Sequence, residues 1–528
     1  MENIITKEFY TNAVVKFGKV LYRGYAFDEA GNKKRVHGKV NYKPTMYLES
    51  DEETEYKSLY GKALKPKQFD TITAAKEFVK SYEDVMPIYG YATNRLEYNF
   101  LADSFPDKLE LGVSDITIGS IDIETTTEHG KIDTVNVPEE IILITYQNIK
   151  TKALVTFGAR PSSEPNYVLC KDEKDVLTRF VKHIEQDDPD VLTGWNLAGF
   201  DVPYLVNRGY KIIGEDMTKR LSPFGMIDVK EEDVRGKSKQ VFTVVGRTVL
   251  DMLELYLKYT FVKRANNRLQ TICMIELGVG KLDNPYGTFR EFYERDFSLF
   301  TRYNQIDTIR VSELEDKLGL IALAMAIAYR AKINLGDVYG PVKIWESLIL
   351  GELHKENTFV AIKRQRNSSE GIIGAYVHEP KPGFWDWIVT FDAAQLYPSI
   401  DIGLNMSPET LVKYIPGGSD LDMIAITNAG GVSEIEAILN RGIGVPNHLV
   451  ELEQSPMFEA MKFAYENDYA CASNGAVFSK KKQGIIPRLM QKLGDDRSQD
   501  KKEMLEAKQN LIDVEFEIER RNQIKLRL

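Results

Sequence analysis

Cysteine is nearly absent from this chain of 528 residues: Cys170, Cys273 and Cys471 are the full set. Odd in number, far apart and without a Cys-x-x-Cys pair, they argue against a disulfide framework or a cysteine zinc site and suit a reducing cytoplasm. Histidine is equally sparse, with six scattered residues. Long apolar runs are missing as well. The longest, Leu318 to Tyr329, falls short of the roughly 18 residues of a membrane span and reads as a buried helix. The opening Met1-Glu2-Asn3-Ile4-Ile5-Thr6-Lys7 lacks the charged and apolar blocks of a signal peptide. The expectation is a cytoplasmic protein that does not engage a membrane. No internal repeat or low-complexity tract marks a solenoid or a disordered tail.

What is present is ordinary in bulk. Hydrophobic content of 43% and charged content of 28% are those of a globular protein, and the length asks for several domains. The net charge of −10 speaks weakly against nucleic-acid binding, but the distribution of charge matters more than its sum.

Residues 9–49 alternate in strand-like runs broken by Gly and Asn, which suggests a β-rich N-terminal module. From 116 the pattern changes to strands at 116–123, 141–147 and 152–157, an amphipathic helix near 173–186 and a strand near 190–194. That order predicts an α/β sheet with helical cover. A hairpin is expected over 226–250, from Val229–Val234 and Gln240–Val245 around a turn at Gly236-Lys237-Ser238-Lys239. A helical section follows from about 250 to 360. Trp387-Ile388-Val389-Thr390-Phe391 reads as a strand, 415–447 as loops around a short helix, and 485 onward as a charged helix.

Acidic residues carry the chemistry. In Asp122-Ile123-Glu124, at a strand end, residues two apart share a face, so both carboxylates can aim at one point. Thr193-Gly194-Trp195-Asn196-Leu197-Ala198-Gly199-Phe200-Asp201 places a polar loop at the mouth of a sheet and a carboxylate at a helix start, where an N-cap would look the same. In Tyr303-Asn304-Gln305-Ile306-Asp307 a spacing of four puts phenol and carboxylate on one helix face. Hard cations such as Mg2+ or Mn2+ take oxygen ligands, so carboxylates without histidines fit them. Gly278-Val279-Gly280-Lys281 is not a phosphate loop, because no Ser or Thr follows the lysine.

Taken in order and spacing, these three motifs resemble the proofreading exonuclease of family B DNA polymerases. Gly194-Trp195-Asn196 and Gly199-Phe200-Asp201-Val202-Pro203-Tyr204 are most like the T-even phage branch. The resemblance implies a ribonuclease-H-like fold with Asp122, Glu124, Asp201 and Asp307 holding two Mg2+ (or Mn2+) ions. It implies that Tyr303 orients the attacking water, that Asn196 and Phe200 meet DNA, and that Lys281 reaches the scissile phosphate. For Lys281 a plain surface lysine is the competing reading. The 226–250 hairpin would help part a primer end from its template.

Phe391-Asp392-Ala393-Ala394-Gln395-Leu396-Tyr397-Pro398-Ser399-Ile400 resembles the family's first palm motif, with Gly374-Ala375-Tyr376-Val377 before it and Asn405-Met406-Ser407-Pro408-Glu409 after it. By that resemblance Asp392 and the Ala393 carbonyl ligate catalytic Mg2+ once the polymerase site is complete. Amides near Leu396 meet the incoming triphosphate, and Tyr397 packs under its sugar. Gln395 departs from the usual Ser, which puts local contacts in doubt. Arg497 and Lys501 match the triphosphate-binding basic pair on the fingers helix, although a solvated salt-bridging face has the same spacing.

The resulting expectation is an α/β multi-domain chain. It has a β-rich N-terminal domain over 1–115 to which 325–365 returns, an exonuclease domain over 116–324, a partial palm over 366–482 and a first fingers helix over 483–528. It would serve as the N-terminal subunit of a split replicative polymerase in the cytoplasm of an infected bacterial cell. Its partners would be primer–template DNA, single-stranded 3′ ends, dNTPs and a C-terminal polypeptide with the second palm aspartate and the thumb. A sliding clamp is a further candidate. The alternatives are a free-standing exonuclease with a relic palm, a non-catalytic replication scaffold, or a truncated one-piece polymerase.

Overall fold

The computed structural model describes residues 5–28, 30–82, 84–90, 95–107, 109, 112–130, 133–233, 238–362, 379–392, 395–442 and 444–525. Ala393, the Gly374–Val377 tetrapeptide and Gly236-Lys237 of the hairpin turn lie outside them. The chain forms two compact units, one from the described residues of 1–56, 63–354 and 359–363, the other from those of 57–62, 355–358 and 364–528.

The first unit opens with an antiparallel three-stranded sheet, Ile5–Lys16, Lys19–Asp28 and Lys33–Val40. Helix Leu320–Ala331 packs its apolar face of Ile321, Ala324, Met325 and Ala328 into the same core as Phe9, Tyr10 and Ala13. Hydrogen bonds fix that return: Tyr10 Oη donates to the Ile333 carbonyl at 2.9 Å, and Tyr329 Oη to the Tyr10 carbonyl at 2.9 Å. The run Leu318–Tyr329 is thus a core helix, started by Gly319 in the left-handed region.

At the centre of this unit is a mixed six-stranded sheet. Its order is Tyr167–Leu169, Leu154–Gly158, Ile141–Asn148, Ile118–Thr125, Val191–Gly194 and Thr248–Asp251. Strand Ile118–Thr125 runs antiparallel to Ile141–Asn148 and parallel to Val191–Gly194, which is in turn parallel to Thr248–Asp251. Helix Glu173–Asp187 covers one face with Val176, Leu177, Phe180, Val181 and Ile184, against Ile121 and Ile123. The opposite face, which carries Ser120, Asp122 and Glu124 by alternation, meets helix Phe297–Leu318.

The hairpin is Ile227–Asp233 against Ser238–Val244, a little earlier than the sequence suggests. The residues after it supply a further sheet strand, Thr248–Asp251, where the sequence suggests the close of the hairpin and the start of a helical section. Its last residue caps helix Met252–Tyr259.

The second unit contains a three-stranded sheet of Leu411–Tyr414, Ala476–Ser479 and Tyr469–Cys471. Two expectations fail here. Residues 387–391 form no strand, because strand pattern alone cannot satisfy backbone groups without a ladder partner. Residues 415–447 are mostly not loop: helices Asp420–Asn428 and Val432–Asn440 bury Ile426, Val432 and Ile435 against Met457 and Phe458 of helix Pro456–Asn467. The glycines that suggested loops are the helix-ending turns, with Gly430 and Gly431 at φ +93° and +88°.

Helix Ile485–Lys525 is 41 residues long. Its start is capped by the 405–409 turn, where Glu409 Oε1 accepts Ile485 N–H at 2.5 Å and Asn405 Oδ1 accepts Gly484 N–H at 2.9 Å. All three cysteines are unpaired, and among the described residues no helix is long and apolar enough to cross a membrane.

Candidate metal centre

Register explains why the acids meet. Val191–Thr193 pair with Ile118–Ser120, and beyond Ser120 strand Ile118–Thr125 leaves that ladder. Its far end is therefore open on one side. Asp201, the first residue of helix Asp201–Ile212, takes a freed amide: its Oδ1 accepts Ile123 N–H at 3.1 Å. Gly194 permits the close crossing, since a β-carbon there would lie 2.6 Å from the Ile121 carbonyl oxygen.

On the other face, Asp122, Glu124 and Asp307 each present an oxygen within 4.8 Å of the other two. Asp201 stands beside this trio with its carboxylate turned to the strand backbone. Burial raises all four acids. Asp122 is pushed to about 7 by burial and then by the charge of Asp307. Glu124 is driven well up by burial, then by Asp122, and Asp201 by burial, then by Asp122. Asp307 is held near 6, raised by burial against the pull of Lys281.

Lys281 is no free surface lysine. Its ammonium pairs with Asp307 and lies 4.7 Å from the Tyr303 ring centre. Gln270 Oε1 accepts the Lys281 N–H, and Arg310 Nε donates to the Gly280 carbonyl at 2.9 Å, so helix Phe297–Leu318 holds the loop that presents it. Tyr303 is buried in an aromatic cluster, stacked on Phe300 with an interplanar angle of 5°. Asn196 is exposed in the left-handed region at φ +63°, and Phe200 is half-buried against Tyr204.

Three supporting residues escaped the sequence reading. Asp251 is buried; its Oδ1 accepts Asn196 N–H at 3.0 Å and Leu253 N–H at 2.9 Å, and its Oδ2 accepts Ala198 N–H at 2.9 Å. It ties the loop before Asp201 to a helix start, and its signal was an acid closing the short run Thr248-Val249-Leu250. Asn304 donates to Asp122 Oδ2 at 2.5 Å and accepts from the Thr145 hydroxyl. Asn304 lies one helical turn before Asp307, which was a legible hint; nothing local marked Thr145.

The predicted palm residues sit differently. Asp392 and Leu396 are exposed, and Tyr397 is 75% exposed. Helix Leu396–Leu404 begins after Gln395, itself in the left-handed region at φ +52°, and packs along helix Ile485–Lys525. Arg497 and Lys501 are exposed on that long helix, one turn apart.

A mixed sheet whose strand ends gather half-buried and buried carboxylates within 4.8 Å of one another defines a candidate divalent-metal centre. Comparison with known proteins then gives the family. The exonuclease-domain model of DNA polymerase family B matches residues 77–272, and the DNA polymerase family B model matches residues 339–526. The DNA-directed DNA polymerase of Escherichia phage RB69 is 27% identical over 538 residues, covering 96% of this chain and 55% of its own length. That of Enterobacteria phage T4 is 28% identical over 534 residues, with the same two coverages. The DNA polymerase delta catalytic subunit of Caenorhabditis elegans is 28% identical over 274 residues, covering 49% of this chain and 25% of its own length. The chain belongs to DNA polymerase family B, and it spans about half the length of the two phage relatives.

Proposed function

We propose that this chain is the proofreading part of a replicative family B DNA polymerase, removing nucleotides from single-stranded 3′ ends, and that it also supplies Asp392 to the polymerase site. The observation that carries the reading is the trio Asp122, Glu124 and Asp307, whose oxygens converge within 4.8 Å while Asp307 Oδ1 is buried without a hydrogen-bond partner. An orphaned buried carboxylate oxygen among raised acids asks for a cation, and the all-oxygen set suits Mg2+ or Mn2+. Asp201 would complete the set for a second ion. Such ions, when bound, activate the water and neutralise charge building on the phosphodiester. The protein's own part is geometric. Asp122 and Glu124 are fixed by the strand and Asp307 by the helix. Lys281 stands beside Asp307 to meet a phosphate oxygen, and the Tyr303 hydroxyl faces the same space to orient the water.

In the second unit, Arg497 and Lys501 would meet a triphosphate and Tyr397 its sugar. Helix Ile485–Lys525 leaves Leu505, Ile512 and Phe516 on one face and Leu511, Val514 and Ile518 on the other more than half exposed, apolar surface fit for the rest of a polymerase domain. We propose a second polypeptide carrying the other palm aspartate and the thumb as that cover. The test is degradation of a labelled single strand and primer extension, in Mg2+, with and without that polypeptide. Degradation should fall by about 10³-fold or more in Asp122→Ala and persist in Asp392→Ala. Extension should need the added polypeptide and vanish in Asp392→Ala. Degradation that survives Asp122→Ala would overturn the exonuclease reading.

A further inference from the structure

Behind Asp122 runs a chain of buried polar side chains. Gln305, Thr156, Thr145 and Asn304 are all buried, on two sheet strands and one helix. Gln305 Nε2 donates to Thr156 Oγ1 at 3.1 Å and to the Pro165 carbonyl at 2.9 Å. Thr156 Oγ1 and Thr145 Oγ1 are 2.9 Å apart. The Thr145 hydroxyl donates to Asn304 Oδ1, and Asn304 Nδ2 donates to Asp122 Oδ2.

Counting protons gives this chain a single direction. A threonine hydroxyl has one hydrogen, and that of Thr145 is committed to Asn304. Thr156 must therefore donate to Thr145, and Thr156 in turn accepts from the Gln305 amide. Each donor finds one acceptor, and the last acceptor is a carboxylate oxygen. An asparagine amide is nearly symmetric in shape, so packing alone would not decide which end faces Asp122. The Asp122 carboxylate decides it, because it only accepts and so takes the NH2 end, and the Thr145 hydroxyl steadies that orientation by donating to the amide oxygen. The alternative orientation would set that oxygen against the carboxylate, two acceptors with no proton between them, while the Thr145 hydroxyl could turn to accept from the NH2.

We infer that Asn304 and Thr145 are positioning residues for the metal centre. They hold Asp122 by one oxygen as an acceptor, so that its other oxygen is aimed at the cation space shared with Glu124 and Asp307. The inference rests on the exonuclease reading above. Partners of metal ligands at this remove are typically worth about 10–100-fold in metal affinity. Their effect is graded: Thr145 steadies the amide by donating to its oxygen, whereas Thr156 only orients the hydroxyl that does so.

The experiment is a Mn2+ titration of the whole chain followed by electron paramagnetic resonance, with melting temperatures in chelator taken beside it. Thr145→Val keeps the side-chain shape and should raise the Mn2+ half-saturation by about tenfold or more. Thr145→Ser keeps the hydroxyl and should bind within about twofold of wild type, and Thr156→Val should fall between them. Asn304→Leu repeats the test should Thr145→Val fold poorly. If Thr145→Val melts lower yet binds Mn2+ as wild type does, the chain is only packing and the inference is wrong. If wild type binds no Mn2+ that Asp122→Ala removes, the exonuclease reading itself fails, and this inference with it.

Discussion

Replacing Asp122 by Asn removes one charge from the acidic cluster while keeping an oxygen to which Asn304 can donate. Burial, then the charge of Asp307, hold the Asp122 carboxyl near 7 in place of 3.8. An acid raised on folding binds more protons folded than unfolded, so it takes stability away as pH climbs from its unfolded value through its folded one. A carboxyl moved from 3.8 to about 7 corresponds to about 4 kcal/mol. Asp122 is only half-buried, and solvent at the mouth of the site screens part of this, leaving about 2 kcal/mol. In chelator at pH 8, Asp122→Asn should therefore melt above wild type by about 3 °C in the transition of the first unit. The gap should narrow as pH is lowered from 7 and close below the unfolded value of 3.8, where the wild-type carboxyl is protonated in both states. With Mg2+ at 100 times its dissociation constant, wild type should gain about 2.7 kcal/mol and the order should reverse at pH 8. Calorimetric scans of both proteins, with and without Mg2+, measure all three. An Asp122→Asn protein that melts below wild type in chelator at pH 8 would show that the cluster carries no electrostatic cost, and the case for a cation would lose its footing.

Elsewhere in the first unit, Arg208 grips Glu173 with two nitrogens at 2.7 Å each, and Glu173 also accepts Ile141 N–H at 2.8 Å. Glu173→Ala strands a buried guanidinium and should cost about 3–5 kcal/mol in urea unfolding; a loss under 1 kcal/mol would mean that water reaches the pair. In the second unit, amide hydrogens of 387–391 should exchange at unprotected rates in this chain alone, because those residues join no ladder. Slow exchange there would contradict the architecture.

The acids were legible because each sits in a pattern that local geometry can interpret: alternation for Asp122 and Glu124, a helix start for Asp201, helical spacing for Asp307. The supporting residues were not. Asp251 serves Asn196 and Ala198 only because Thr248–Asp251 joins the sheet beside Val191–Gly194, a pairing across more than fifty residues that no local window contains. Thr145 reaches Asn304 across 159 residues, for the same reason. For Lys281 the residues alone leave a phosphate contact and a surface lysine side by side, because a lysine beside glycines is usually exposed; the ion pair with Asp307 exists only through the fold. The error at 415–447 was different in kind. Glycines there end helices, and whether a glycine-flanked apolar run becomes a helix depends on a partner such as Met457, not on the run itself.

The same dependence separates the two acidic sites. Of Asp122 and Asp392, only Asp122 lies within a strand paired to its neighbours and is held by a buried amide. Before Asp392, Trp387 is 98% exposed, Ile388 69%, Val389 72% and Phe391 95%. A carboxylate on such a segment must be ordered before it can hold a cation, and that ordering draws on the binding energy. Burying side chains of this size contributes about 1.5–3 kcal/mol each, enough to offset the ordering once something covers them. If Asp392 holds a cation as proposed, its affinity is tied to whatever surface covers 387–391, whereas Asp122, Glu124 and Asp307 carry their support within their own unit. On the proposed function, an inhibitor of that pairing would silence synthesis by the completed polymerase and leave degradation intact.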